Sequence, residues 1–410
     1  MNSNHGRMEW KYFGLLSITI LLLYRFFYFD NFSAYTTIMG YCALLVYIWM
    51  FISEYRVFNN RLYRTEFLLI IFAFITFLVS ILFYSQPISV ISRYLIPLSF
   101  IPYLYCVKSR IEELTVENIL VFIAILYFIC WQYQVIVFPN VVFGSKELSE
   151  DTTRGFARFY IATKEHFPFL LFFFLSKYNE TKKILYPALA FCVFSCIILH
   201  VGRQMIAWSG LMALVFILYT NGKRIKNIII ISIICYFAMT LFMDNFSVVS
   251  DLIDLTQHSE SGINSADTDN IRFEAMGRFI SDFNDNLITA LFGNGYAVKG
   301  TELYAKYLRY ENNGYYLSDV GFVGMFINQG LIYTVLIVIL LYQILFRYKV
   351  TVRYLYLKYY IVYICLSYIG SHSLSSNLIF VALSIYIIKS NSIKNKNENI
   401  NSFKNSYPSL

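Results

Sequence analysis

Charge is what this chain has least of. Of its 410 residues 14% are charged and 58% are hydrophobic, so a single soluble core cannot bury its apolar side chains. Other absences narrow the class further. The first apolar block starts near Tyr12 without a small-residue cleavage site in its flank, and further blocks follow it, so it reads as a retained helix and not as a removed leader. Cys42, Cys106, Cys130, Cys192, Cys196, Cys235 and Cys365 all lie in or beside apolar blocks, which leaves no disulfide or zinc framework. No cluster of His and acidic residues is spaced to hold a metal, and no cofactor is implied. The net charge of +8 would suggest nucleic acid in a soluble protein, but the basic residues here sit in short connections between apolar blocks, where they orient a chain in a bilayer. Nucleic acid is excluded as a partner and membrane lipid takes its place.

What is present is a series of blocks of about 20 residues rich in Phe, Tyr and Ile. They predict an all-α, polytopic membrane protein with about twelve transmembrane helices, at 12–30, 34–53, 66–84, 88–107, 116–138, 159–176, 184–201, 204–220, 227–243, 319–346, 354–370 and 373–389. The sixth is interrupted by Lys164, Glu165 and His166. Lys and Arg concentrate in every second short connection, as at Arg56–Arg64, Lys177–Lys183, Lys223–Lys226 and Arg347–Arg353. These connections are expected on the cytoplasmic side, with both termini. An eleven-span alternative would turn the last two of those basic connections outward.

One long polar insert breaks the series. The division expected is an N-terminal bundle of about nine spans at 1–243, a large outer loop with short helices at 244–318, three closing spans at 319–389, and a disordered cytoplasmic tail at 390–410, low in complexity and rich in Lys and Asn. Short connections cost less entropy than such a loop, so the loop is where function is sought.

Several residues on the outer side could carry chemistry. Arg154 and Arg158 are four apart and share a face if their segment is helical; Arg203 stands at the junction of the seventh and eighth spans. Arg272, Glu274 and Arg278 lie on a predicted helix over 270–283. A guanidinium beside an apolar boundary needs a partner, and its planar fork suits a carboxylate or phosphate. Each also has a plainer role: Arg154 and Arg158 can pair with Glu150 and Asp151, Arg278 with Glu274, and Arg203 can anchor on lipid phosphate. Gly293 and Gly295 flank Asn294 in a tight turn. Asp319 opens the tenth span, where a carboxylate can cap the helix, and Gly321 and Gly324 allow close approach of a neighbouring helix or a ligand. The insert also holds Tyr296, Tyr304, Tyr307, Tyr310, Tyr315 and Tyr316, whose rings could stack on sugars or simply pack.

Taken in order, these pieces resemble the O-antigen polymerase and ligase superfamily of membrane glycosyltransferases. The resemblance rests on Arg154-Gly155-Phe156, Gly202-Arg203-Gln204, Arg272 with Arg278, Gly293-Asn294-Gly295-Tyr296, and Asn312-Asn313-Gly314 running into Asp319-Val320-Gly321. It covers about residues 150–345; the first five spans match only in hydropathy. It implies a GT-C-like fold in the bacterial inner membrane with the large loop periplasmic. The implied activity, most like that of a Wzy-type polymerase, joins glycan on undecaprenyl diphosphate to the next lipid-linked repeat unit. Arg154, Arg158, Arg203, Arg272, Arg278, Gly293, Gly295, Asn312 and Asn313 would hold the substrate, and Glu311 or Asp319, with Glu302 as a further candidate, would take the acceptor proton. The expected partner is the undecaprenyl-diphosphate-linked oligosaccharide, and a chain-length regulator protein stays open. Ligases of the superfamily usually carry a histidine directly before the loop asparagine, where this chain has Asn312 before Asn313, and the usual serine before the second arginine is Gly202. The alternatives are a ligase delivering glycan to lipid A-core and, in a different class, a flippase for lipid-linked oligosaccharide.

Overall fold

The computed structural model describes residues 9–28, 33–54, 63–138, 140–144, 161, 163–200, 203–220, 265–283, 286–369 and 373–406, with the backbone alone at some positions, among them 203, 265–271 and 396–406. Among the described residues the fold is helical, with no β-strand. In chain order the main helices are α1 (Trp10–Leu23), α2 (Ser33–Glu54), α3 (Arg64–Tyr84), α4 (Phe100–Ser109), α5 (Glu113–Val137), α6 (His166–Thr181), α7 (Leu185–Leu199), α8 (Arg203–Thr220), α9 (Ser265–Asp282), α10 (Leu287–Phe292), α11 (Glu302–Glu311), α12 (Gly321–Tyr342), α13 (Leu355–Ser367) and α14 (Leu378–Ser406). Apolar runs fold this way because an apolar surrounding offers no partner to backbone N–H and C=O, and a helix satisfies them within the segment.

Three of these are long and apolar enough to cross a membrane: α3, α5, and α12 with the π-turn that extends it to Arg347. Shorter apolar stretches run over Trp10–Leu23, Thr37–Ser53, Leu185–Leu199 and Gln204–Thr220; α7, with 15 residues, rises only about 22 Å. The expected span at 88–107 is not one helix. Pro87 and Pro97 withhold backbone donors, and the chain runs through two 3-10 turns, Ile88–Arg93 and Pro97–Ser99, before α4 begins. The expected span at 319–346 also differs, because α12 is broken at Gly330 (φ +82°). The expected ninth span at 227–243, the insert before 265 and both Arg154 and Arg158 lie outside the described residues. The tail expected to be disordered departs most: α14 continues without interruption to Ser406. Its first polar turns are anchored, since Ser390 donates to Glu113 at 2.7 Å and Asn391 accepts from Thr351 N at 3.0 Å.

Outward faces of several helices are apolar. On α2, Ile38, Leu45, Trp49 and Ile52 are exposed at helical spacing, and Leu82 at the end of α3 is 76% exposed. The interior, by contrast, holds paired charges. Lys389 of α14 bonds to Glu66 of α3, and Glu117 of α5 accepts from Arg353 at 2.7 Å and from the Tyr356 hydroxyl at 3.1 Å. These pairs gather near the start of α3. Its far end, at Tyr84, meets the insert through Asn294, so the two clusters sit at opposite ends of one helix.

Candidate functional site

The insert is joined to the bundle by its Gly293-Asn294-Gly295 turn. Asn286 caps α10, its side chain accepting from Ile288 N at 2.9 Å. After six residues the helix stops at Gly293, which adopts φ +88°. There its backbone lies against Gly330: a Cβ on Gly293 would fall 2.6 Å from Gly330 N, and one on Gly330 would fall 2.5 Å from Gly293 N. Neither position tolerates a side chain, so two glycines from distant segments make one contact. The break in α12 leaves the carbonyls of Ile327 and Asn328 for the turn. Asn294 N donates to Ile327 O and Gly295 N to Asn328 O, both at 2.9 Å. The Asn294 amide nitrogen donates to Ile327 O at 3.0 Å and Phe283 O at 3.1 Å, while its oxygen accepts from the Tyr84 hydroxyl. Buried backbone groups are thereby paired across the joint.

A small core of its own steadies the insert. Phe283 of the α9 end stacks on Tyr307 of α11 (centroids 4.8 Å apart), Phe279 packs on Tyr310, and Tyr310 donates to Asp282. Gln86, just beyond α3, donates to Thr301 Oγ1 at 3.0 Å and accepts from Val298 N at 3.2 Å. Tyr307 also reaches across to α12, donating to Asn328 Oδ1 at 3.2 Å. Tyr307 and Tyr310 are therefore committed to packing, not presented to solvent as sugar platforms. Gly321 and Gly324 also serve packing, lying close against the backbone of Tyr368 and the carbonyl of Leu317 respectively.

Beneath this joint lies a cavity of about 290 Å³. The insert contributes Tyr296 and Ser318 to its wall, α12 contributes Asn328 and Gln329, and the segment around the last connection contributes Tyr368 and Ser375. Among the described residues no charged side chain lines it. Gln329 is 3% exposed, and both atoms of its amide lack a partner at hydrogen-bonding geometry, although the Tyr296 hydroxyl faces it. No family model and no curated protein matches this chain. What the site can do is therefore read from its own geometry.

The expected site residues distribute unevenly about this cavity. Gly293 and Gly295 form the joint above it. Asp319 adjoins it through Ser318, but it does not cap α12 as the sequence suggested: Val320 occupies the cap position, no side chain bonds there, and Ser318 donates to Asp319 at 3.3 Å instead. Glu311, Asn312 and Asn313 close α11 on the exposed side, where the Asn313 amide donates to Arg309 O at 2.8 Å. Glu302 is exposed in the first turn of the same helix. Arg203 opens α8, with only its backbone described. Arg272 and Arg278 are exposed on α9, and Arg278 takes the plainer of its two roles by pairing with Glu274 at 2.6 Å, its guanidinium 5.1 Å from the Tyr315 ring. Among the described residues, no three His, Cys, Asp or Glu side chains gather closely enough to hold a metal.

Hydrogen bonds from Tyr315 first, and then from Arg278, hold the Glu274 carboxyl below its usual 4.5. A carboxyl with a depressed folded-state pKa contributes stability above its unfolded value and loses it as pH falls through the folded one. Glu274→Gln should therefore melt below wild type near neutrality, with the difference closing as pH falls below about 4.5. An unchanged acid limb would show the exposed pair to be without effect.

Sequence reasoning missed Gln329, Asn328 and Glu165. The signal for the first two was a polar pair followed by glycine, Asn328-Gln329-Gly330, inside an otherwise apolar span. Glu165, 2% exposed, accepts from the Asn377 amide at 2.5 Å, and the residues flanking Asn377, Ser376 and Leu378, both line the cavity. Its signal was the charged interruption of the sixth span, since a carboxylate is kept at such a boundary only with a partner.

Proposed function

We propose that this protein is a multi-pass membrane glycosyltransferase of the O-antigen polymerase kind, transferring glycan from undecaprenyl diphosphate to the next lipid-linked repeat unit on the periplasmic side of the inner membrane. The observation that carries the reading is the joint: a polar insert is fastened into a broken apolar helix over a largely apolar cavity to which Gln329, Asn328, Ser318 and Ser375 bring polar groups. Broken helices in membranes recur where a polar substrate must be met at membrane depth. Apolar outward faces on α2 and α3 support lipid contact, and the placing of insert and buried ion pairs at opposite ends of α3 supports an insert on the side away from the basic connections. On this reading about twelve spans surround the site, and both termini are cytoplasmic.

The chemistry is a displacement at the anomeric carbon. The acceptor hydroxyl forms the new glycosidic bond, its proton passes to a carboxylate, and the old bond to the diphosphate breaks with its electron pair going to the leaving group. Arginines meeting the developing phosphate charge would lower the barrier, each preorganised donor being worth about 10²–10³-fold. Arg154, Arg158, Arg203 and Arg272 are the proposed phosphate ligands, with Arg278 joining them only on leaving Glu274. Of the proposed proton acceptors, Asp319 adjoins the cavity wall at Ser318, whereas Glu311 is at the exposed end of α11.

The test is gel analysis of lipopolysaccharide from a deletion strain complemented with variants. Loss of a polymerase should leave single-repeat lipopolysaccharide, and Arg203→Ala and Arg272→Ala should each fail to restore the ladder while reaching the membrane. Lys at either place should rescue poorly, because a point charge cannot make two parallel bonds to phosphate. A deletion strain with no repeat on the core would assign the protein to ligation instead, and wild-type ladders in both alanine variants would remove the arginines.

A further inference from the structure

We propose that the cavity beneath the joint is a subsite for one neutral sugar ring of the lipid-linked glycan, and that the Gln329 amide reads adjacent hydroxyls on that ring. This rests on the glycosyl-transfer reading above. Gln329 is almost completely buried, yet neither its nitrogen nor its oxygen has a partner at hydrogen-bonding geometry. Buried polar side chains are nearly always satisfied, so an amide in a cavity wall whose nearest polar neighbour is the Tyr296 hydroxyl, and which has no partner at good geometry, has capacity left for groups that accept and donate together. Vicinal hydroxyls do both.

The wall fits the same ligand. Ser318 and Ser375 bring hydroxyls to it, Asn328 brings a second amide, and Tyr296 and Tyr368 offer ring surface for the apolar C–H face of a sugar. Among the described lining residues none is charged, so the wall suits a neutral ring better than a diphosphate or a uronate, which would want a counter-charge. Its volume, about 290 Å³, is at the small end of ligand pockets, with room for one ring or two and not for a chain.

The backbone explains how the amide is held. Thr76 Oγ1 lies 3.3 Å from the carbonyl of Gln329 and donates to Phe292 O at 2.5 Å, and the carbonyls just before Gln329 are taken by the Gly293-Asn294-Gly295 turn. The break at Gly330 is thus fixed by α3 and the insert, and the residue before it is fixed with it. Binding in the cavity is in this way tied to docking of the insert, which would carry the transfer groups.

The experiment uses the full-length protein in nanodiscs, wild type and Gln329→Met, a substitution that keeps side-chain length and removes the amide. Saturation-transfer NMR is run with glucose, galactose, N-acetylglucosamine, N-acetylgalactosamine and, as the charged comparison, glucuronic acid. Wild type should bind at least one neutral sugar saturably and glucuronic acid not at all, and Gln329→Met should bind that sugar at least tenfold more weakly with an equal or higher melting temperature. Equal binding by the variant, equal binding of glucuronic acid, or no neutral sugar bound by folded wild type would each overturn the subsite. If Gln329→Met proves unstable, Gln329→Glu replaces it, and a neutral sugar bound as in wild type by that charged variant would also refute the proposal. The deletion strain separates the two levels. A normal ladder without the protein defeats the polymerase reading itself, while a lost ladder fully restored by Gln329→Met defeats only the subsite.

Discussion

Gly330→Val should leave almost no folded protein in a detergent extract. Valine at φ +82° is held in a region that a β-branched residue avoids, and its Cβ would fall 2.5 Å from Gly293 N. Strain of the first kind costs about 1–3 kcal/mol and forced overpacking a similar amount. Together these consume a large part of the roughly 5–15 kcal/mol by which proteins are stable. The clash cannot relax cheaply because the opposing atoms are backbone, pinned by the bonds from Asn294 and Gly295. Gly300→Ala separates the two causes. Gly300 has φ +91° but open space where its Cβ would stand, so alanine there meets only the conformational penalty and should lower the melting temperature by a few degrees. Fluorescence-detected size exclusion after heating measures both, and a Gly330→Val protein that melts like wild type would mean that the joint is not packed as described.

The second large effect is expected from Lys389→Met. It removes the partner of Glu66, whose side chain is fully buried, and an unpaired carboxylate there costs about 3–5 kcal/mol. The double variant Glu66→Gln with Lys389→Met should recover most of that loss, because two neutral side chains of similar length replace a desolvated pair. The ammonium also lies 5.3 Å from the Tyr348 ring and 5.9 Å from that of Tyr63, so recovery should be incomplete. A double-mutant cycle on melting temperature reads the coupling directly. Additive losses in the double variant would show that the two charges do not stabilise each other.

Periodicity and hydropathy made the helices legible, including α9, expected over 270–283 and found from Ser265 to Asp282. The tight turn at Gly293-Asn294-Gly295 was legible too, because two glycines around an asparagine have few uses other than close approach. What it approaches was not. Gly330 sits in an apolar run where a lone glycine is tolerated as a packing contact, and only the distant turn makes it a break. Prolines at 87 and 97 were readable as breakers, but hydropathy over 88–107 outweighed them. The tail misled for the opposite reason. Its polar composition argues against burial, whereas the bonds of Ser390 and Asn391 to Glu113 and Thr351 carry the helix beyond the apolar part. Gln329 shows the general limit: an amide in an apolar run looks like a fault in the sequence, and only the fold sets it in the wall of a cavity.

The pairing of Glu66 with Lys389 has a consequence during synthesis. The two residues are 323 positions apart, and at about 5–20 residues per second a ribosome takes roughly 16–65 s to travel between them. For that interval the newborn third helix carries a carboxylate whose counter-ion does not yet exist, so it must find water or another polar partner. A chain that stops short of the last helix leaves Glu66 without the cation it is paired with in the finished fold.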